Sequence, residues 1–155
     1  MHTWFECKIQ YEKTMENGMN KKVTEPYLVD ALSFTEAEAR IIEEMTPYIS
    51  GEFTVSDIKR ARYSELFFAE DAESDRWFKC KLTFITLDEK SGSEKKTSTN
   101  VLVQATDLRD AVKKLDEGMK GSMADYIISS VAETNIMDVY PYSEGPNDKP
   151  EFPEA

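Results

Sequence analysis

Apolar residues alternate with polar ones at the start of the chain. Phe5, Cys7, Ile9 and Tyr11 fall on one side of an extended segment, and Phe78, Cys80, Leu82 and Phe84 do the same further on. A period of two places successive side chains on opposite faces, so each set predicts a half-buried strand with these residues inward. Glu16-Asn17-Gly18 and Ser91-Gly92-Ser93 supply turn chemistry after those strands and predict a returning partner for each. Pro26 has no amide proton to donate, which predicts an edge position or a bulge in the returning strand there. The period then changes. Ala37, Ile41 and Met45, and later Ala111, Leu115 and Met119, recur every four residues and so share one helical face. Ser33 with Glu36 reads as a capping box, and Asp107 with Asp110 stands in the same place. Pro47 stops the first helix, while Gly118 and Gly121 weaken the end of the second.

These two runs look like two copies. Trp4-Phe5-Glu6-Cys7-Lys8-Ile9 returns as Trp77-Phe78-Lys79-Cys80-Lys81-Leu82, at an offset of 73. Lys21-Lys22 answers Lys95-Lys96, and Val29-Asp30-Ala31 answers Val103-Gln104-Ala105, at an offset of 74. After the helices the offset is 73 again, with Val55-Ser56-Asp57-Ile58 against Ile128-Ser129-Ser130-Val131. Glu65, Leu66 and Phe67 then answer Asp138, Val139 and Tyr140, which reads as a strand closing each copy. Internal repetition of this kind sets the architecture before any single motif does. The expectation is an α+β fold, an internal duplication of two β-β-α-β units with antiparallel sheet and pseudo-twofold packing. Its domain plan is a first unit over 1–68, an acidic linker over 69–76, a second unit over 77–142 and a disordered acidic tail over 143–155.

Composition adds one strong constraint. The 155 residues carry a net charge of −11, which argues against direct nucleic-acid binding because phosphate demands a cationic surface. Segments 33–46, 69–76 and 143–155 each carry −3, so the remaining surface is nearly balanced. An apolar fraction of 40% suffices for a globular core. No apolar run is long enough to span a membrane, and the first residues show no secretory pattern, which makes the cytoplasm the default location. Cys7 and Cys80 occupy equivalent positions and read as two buried free thiols.

Candidate chemistry is sparse. His2 is the single histidine, so no nucleophile-base pair, no catalytic constellation and no transition-metal spacing can be assembled. No phosphate-binding glycine loop and no calcium loop occurs. The chain therefore reads as a non-enzyme without cofactor or metal. Two sets of residues could hold a ligand. Trp4 and Lys8, with Trp77 and Lys81, project from the strand face opposite the core positions and could line a groove that stacks a ring and meets an anion. The plainer alternative is that this face is covered and the tryptophans are core. Lys59, Arg60 and Arg62, interleaved with Tyr63, form the one basic cluster and have no counterpart in the second copy. Strand-edge charges that discourage aggregation would explain that cluster equally well.

The strings Trp77-Phe78-Lys79-Cys80-Lys81, Phe84-Ile85-Thr86-Leu87-Asp88-Glu89-Lys90, Val101-Leu102-Val103-Gln104-Ala105 and Met137-Asp138-Val139-Tyr140-Pro141-Tyr142 resemble a family known as a domain of unknown function. The resemblance covers Trp4 to about Tyr142 and implies a small cytosolic protein of gut anaerobes and their phages or mobile elements. It brings no catalytic residue to transfer. The reading that follows is a non-catalytic binding module for a small anionic, nucleotide-like ligand or a protein partner, held where the two units meet, with phage-linked counter-defence as one version. The alternatives are an acidic interaction or DNA-mimic inhibitor and an unrecognised enzyme. The ligand's identity, the oligomeric state and the pathway stay open.

Overall fold

The computed structural model describes residues 3–122 and 125–141. Expectations for the tail over 143–155 lie outside the described residues. Among the described residues, mixed α and β structure is present as expected, with two helices and two four-stranded sheets. No helix among the described residues is long and apolar enough to cross a membrane. The chain divides into two compact units, and the division differs from a simple succession.

The first unit takes its described residues from 3–61 and 137–141. Strand β1 (Trp4–Thr14) pairs antiparallel with β2 (Asn20–Asp30), from Trp4 opposite Asp30 to Thr14 opposite Asn20. Gly18 carries a φ of 83° at the intervening turn, a backbone region that glycine enters without steric cost. Helix α1 (Phe34–Met45) follows, then β3 (Phe53–Ala61), which pairs antiparallel with the other edge of β1. Phe5, Cys7, Ile9, Val29 and Ala31 from the sheet meet Ala37, Ile41 and Met45 from the helix, as the two periodicities require. Tyr11, the last of the expected inward set, is half-buried and donates its hydroxyl to Glu25.

In the second unit, Arg62–Ile136, the same order recurs. Its β4 (Glu65–Phe67) precedes β5 (Arg76–Leu87), β6 (Glu94–Ala105), α2 (Leu108–Gly118) and β7 (Tyr126–Glu133). Phe78, Cys80, Leu82, Val101, Val103 and Ala105 meet Ala111 and Leu115. Both helices begin on the expected caps, in a slightly displaced form. Ser33 accepts from the Glu36 amide and Asp107 from the Asp110 amide, at 3.1 and 2.8 Å. The return bonds, however, go one residue further out. Glu36 accepts from the Leu32 amide and Asp110 from the Thr106 amide, so each cap satisfies the donor before the cap residue rather than its own.

The closing strands are exchanged, which corrects the domain plan. The segment Glu65–Phe67, expected to close the first unit, pairs parallel with β6 of the second. Strand β8 (Val139–Tyr140), expected to close the second, pairs parallel with β2 of the first. The sheet orders are therefore β3-β1-β2-β8 and β4-β6-β5-β7. Strand β2 has β8 as a second neighbour only at Leu28 and Val29, so at Pro26 it is still an edge, as expected. The ring is tolerated because Pro26 lies before the stretch paired with β8, where its carbonyl accepts the Met137 amide. The sheet irregularities fall between β1 and β3 at Lys8/Ile9, and between β5 and β7 at Lys81/Leu82.

The acidic stretch over 69–76 is also no free linker. Ser74 is buried, and Lys114 on α2 donates to Ser74 Oγ and to carboxylates of Asp71 and Asp110, at 2.5, 3.2 and 3.0 Å. Ala69 donates its amide to the Gln104 side chain. These bonds fasten the stretch to the second unit. Asp110 and Asp71 are correspondingly held below the usual carboxylate range. The Thr106 amide is the main cause for Asp110, and the Ser74 hydroxyl for Asp71.

Gly118, the last residue of α2, faces the β4 ring of Phe67. A Cβ at this position would stand 2.8 Å from Phe67 Cε1. Alanine gains about 1 kcal/mol of helix propensity over glycine, against about 1–3 kcal/mol for overpacking. Gly118→Ala is therefore expected to lower the urea midpoint of the protein. A raised midpoint would mean the Phe67 ring yields to the added methyl group.

Candidate anion-binding face

Each sheet has a face turned away from its helix, and the sequence-predicted residues fall on it unevenly. Trp4 and Trp77 do lie opposite the core positions of their strands, but they are only 6% and 2% exposed. Neither ring offers a face for stacking, so the groove expected from the two Trp–Lys sets is not formed by the tryptophans. Trp77 meets the edge of Phe68 at a centroid distance of 5.4 Å, and its carbonyl accepts both the amide and the hydroxyl of Thr134. These contacts make it a packed core side chain.

The basic cluster is dispersed by strand geometry. Lys59 stands opposite Glu6 and Arg60 opposite Phe5, so alternation sends the two side chains to opposite faces of β3. Arg62 lies past the end of that strand and belongs to the second unit. All three are exposed, and the fold does not bring them together.

Lys8 and Lys81 occupy matching positions in different surroundings. On the first sheet, Lys8 has Asp57 directly across from it, and Glu6 has Lys59 across from it. Opposite charges therefore alternate over that face. On the second sheet, Lys79 lies across from Ala132 and Leu102, and Lys81 across from Ser130 and Asn100. No carboxylate faces either lysine across a strand. Lys79 and Lys81 are two residues apart on one strand, so both project from the same face, with backbones about 6.5–7 Å apart. Both are exposed.

Around them lies a shallow depression of about 390 Å³, lined by Lys79, Lys81, Ser98, Thr99, Asn100, Ser130 and Ala132. Its floor comes from three adjacent strands, and the irregularity at Lys81/Leu82 adds Ser129 beside Ser130. Thr83 links the hydroxyls of Ser129 and Ser98 at 2.6 and 3.4 Å, which orients the donors beside the depression. Among the described residues, the lining offers two ammonium groups, hydroxyls and one carboxamide, and contains no carboxylate, imidazole or thiol. Such a set can hold an oxyanion through charge-assisted hydrogen bonds.

Sequence reasoning named Lys81 and missed Lys79, Ser98, Asn100 and Ser130. The parity of residues 79 and 81 was a usable signal for the first of these. The other three need the strand register, which a single sequence does not contain.

The thiols take no part. Burial, with smaller contributions from the Glu6 and Glu38 charges, pushes Cys7 up to about 12, and burial alone pushes Cys80 up to about 11. Both stay protonated at neutral pH and pack as small apolar groups. Among the described residues, no group of three or more His, Cys, Asp or Glu side chains gathers as a metal site.

Comparison with curated proteins and with solved structures finds no match. A family described as Domain of unknown function (DUF4494) matches residues 3–142, nearly the whole chain and both sheets, and the protein belongs to that family.

Proposed function

We propose that this domain is a non-catalytic binding module for a small anionic ligand, seated on the sheet face of the second unit that is turned away from α2. One observation carries the reading. Lys79 and Lys81 share a face with no carboxylate across from either, in a depression lined with hydrogen-bond donors. The matching face of the first unit sets Asp57 across from Lys8 and replaces Lys79 with Glu6. The overall charge of −11 opposes anion binding at long range, but screening confines that effect to about 8–10 Å at ordinary ionic strength. Local charge then decides, and at this face it is positive.

The same reading takes the two units as copies of one β-β-α-β segment. Support comes from the shared element order and from the equivalent placement of Phe5 with Phe78, Cys7 with Cys80 and Ala37 with Ala111. Divergence after duplication would leave an ancestral surface in one copy and a ligand face in the other. We place the domain in the cytosol, where phosphorylated metabolites and signalling nucleotides are abundant. Sequestering such a molecule would suit a phage-linked role.

Titration of isotopically labelled protein with inorganic phosphate, followed by amide NMR, tests the site. The expected shifts map to Lys79–Lys81, Ser98–Asn100 and Ser130, with an affinity near the millimolar level that corresponds to about 4 kcal/mol. In Lys81→Ala the affinity falls several-fold, while the spectrum stays folded. Shifts confined to Lys59, Arg60 and Arg62, or none at all, would remove this face as the site.

A further inference from the structure

The ligand class can be narrowed, on the premise that the anion site just described is real. The geometry points to a molecule that carries linked phosphoryl groups, a di- or triphosphate chain, bound through that chain and not through a base. Three observations lead there.

First, the cations are paired along a strand. Ammonium groups two residues apart on one face have backbones about 6.5–7 Å apart, and lysine stems are long enough for the heads to close or widen that distance. One tetrahedral anion can engage both heads only if the stems bend together and the charges crowd. A chain of two or three phosphoryl groups meets both without that repulsion, and the second contact forms within an already associated complex.

Second, among the described residues no aromatic side chain lines the depression. Trp77, the ring nearest in sequence on that strand face, is 2% exposed and packed against Phe68. Recognition of a nucleobase on a sheet surface ordinarily uses an exposed ring as a stacking platform. Lacking one, this face reads charge and hydrogen-bond acceptors.

Third, the neutral donors are arranged on both sides of the lysine row. Asn100 lies across from Lys81 on β6 and Ser130 across from it on β7, with Ser98 one pair further along. Strands flanking on both sides suit an elongated chain of oxygens lying along β5. A single planar carboxylate would leave one side of donors unused.

The experiment compares orthophosphate, pyrophosphate, tripolyphosphate and a nucleoside triphosphate by calorimetry at fixed ionic strength on the full chain. Tripolyphosphate is expected to bind at least tenfold more tightly than orthophosphate, and the nucleoside triphosphate within about threefold of tripolyphosphate. Lys79→Ala and Lys81→Ala should each collapse tripolyphosphate towards the orthophosphate value, with Lys81→Arg retaining most of the affinity. Charge-neutral Lys79→Gln, checked for folding by circular dichroism, separates lost charge from lost packing. Equal affinity for orthophosphate and tripolyphosphate overturns the linked-phosphate inference and leaves the anion site standing. A nucleoside triphosphate bound far more tightly than tripolyphosphate overturns it as well, since the base would then be read. If none of the four anions binds, the inference and the proposed function both fall.

Discussion

Replacing Val139 by aspartate is expected to open the first unit and spare the second, although residue 139 lies in the second sequence repeat. Val139 is 6% exposed and, on the edge strand β8, pairs with Leu28 of β2 in the first sheet. Removing its burial costs about 1.5–3 kcal/mol, and an unpaired carboxylate at the site adds a few kcal/mol more. Against a typical total stability of about 5–15 kcal/mol, that is enough to make local opening frequent. Two bonds would go with it, Leu28 to the Asp138 carbonyl and Met137 to the Pro26 carbonyl, and the Arg40 guanidinium contact to the Pro141 carbonyl would loosen. Hydrogen exchange read residue by residue checks this. Amides of β1 and β2 should exchange faster, with those of β5 and β6 much less affected. The reciprocal change is Phe67→Ala, at a residue in the first repeat that packs against the core of the second unit. Phe67 is only partly buried, so the cost sits towards the lower end of the about 3–5 kcal/mol for such truncations. Its effect should fall on β5 and β6. If each substitution instead loosened its own repeat, the exchange of closing strands would be wrong.

Replacing Trp77 by alanine carries the other large expected effect. The side chain is 2% exposed and rests on the edge of Phe68. Truncating a buried tryptophan costs about 3–5 kcal/mol, which for a chain of this size lowers the melting temperature by roughly 10 °C. Lys81→Ala on the same strand is expected to change stability by less than about 0.5 kcal/mol, because an exposed lysine has few contacts to lose. Thermal denaturation of the two variants side by side separates a structural residue from a ligand-facing one. A Trp77→Ala protein with the parental melting temperature would return the ring to the list of ligand contacts. Phosphate affinity supplies the second reading: it should fall in Lys81→Ala under conditions where that protein is fully folded.

The candidate site was partly legible in the sequence. Alternation placed Trp77 and Lys81 on the strand face away from the helix, and that is where they lie. Alternation does not say whether such a face is open. At Trp77 it is closed and at Lys81 it is exposed, four residues further along the strand. The basic cluster misled for a related reason. Lys59, Arg60 and Arg62 are close in sequence, but a strand splits neighbours between faces, and the end of β3 separates the third from the others. Ser130 and Asn100 become site residues only through the antiparallel register that sets them beside Lys81.

By itself the sequence determined the local structure. Period-two runs specified β1 and β5, four-residue spacing specified α1 and α2, and Ser33 and Asp107 marked where the helices begin. These features depend on contacts within a few residues, so each segment carries its own instructions. The matching strings at two places in the chain were visible for the same reason, since they too are local patterns. What only the tertiary structure decided is where the short closing strands go and which lysines remain without an opposing acid. Glu65–Phe67 and Val139–Tyr140 are three and two residues long, too short for periodicity to choose a partner. Their pairing is set by the long-range packing of Phe67 on the second core and of Val139 beside Leu28 in the first sheet. Whether a charge is balanced likewise depends on the residue across the strand, which for Lys79 is Ala132, 53 positions away, and for Lys81 is Ser130, 49 positions away. Such pairings are fixed by the register of whole strands, and no window of the chain contains them.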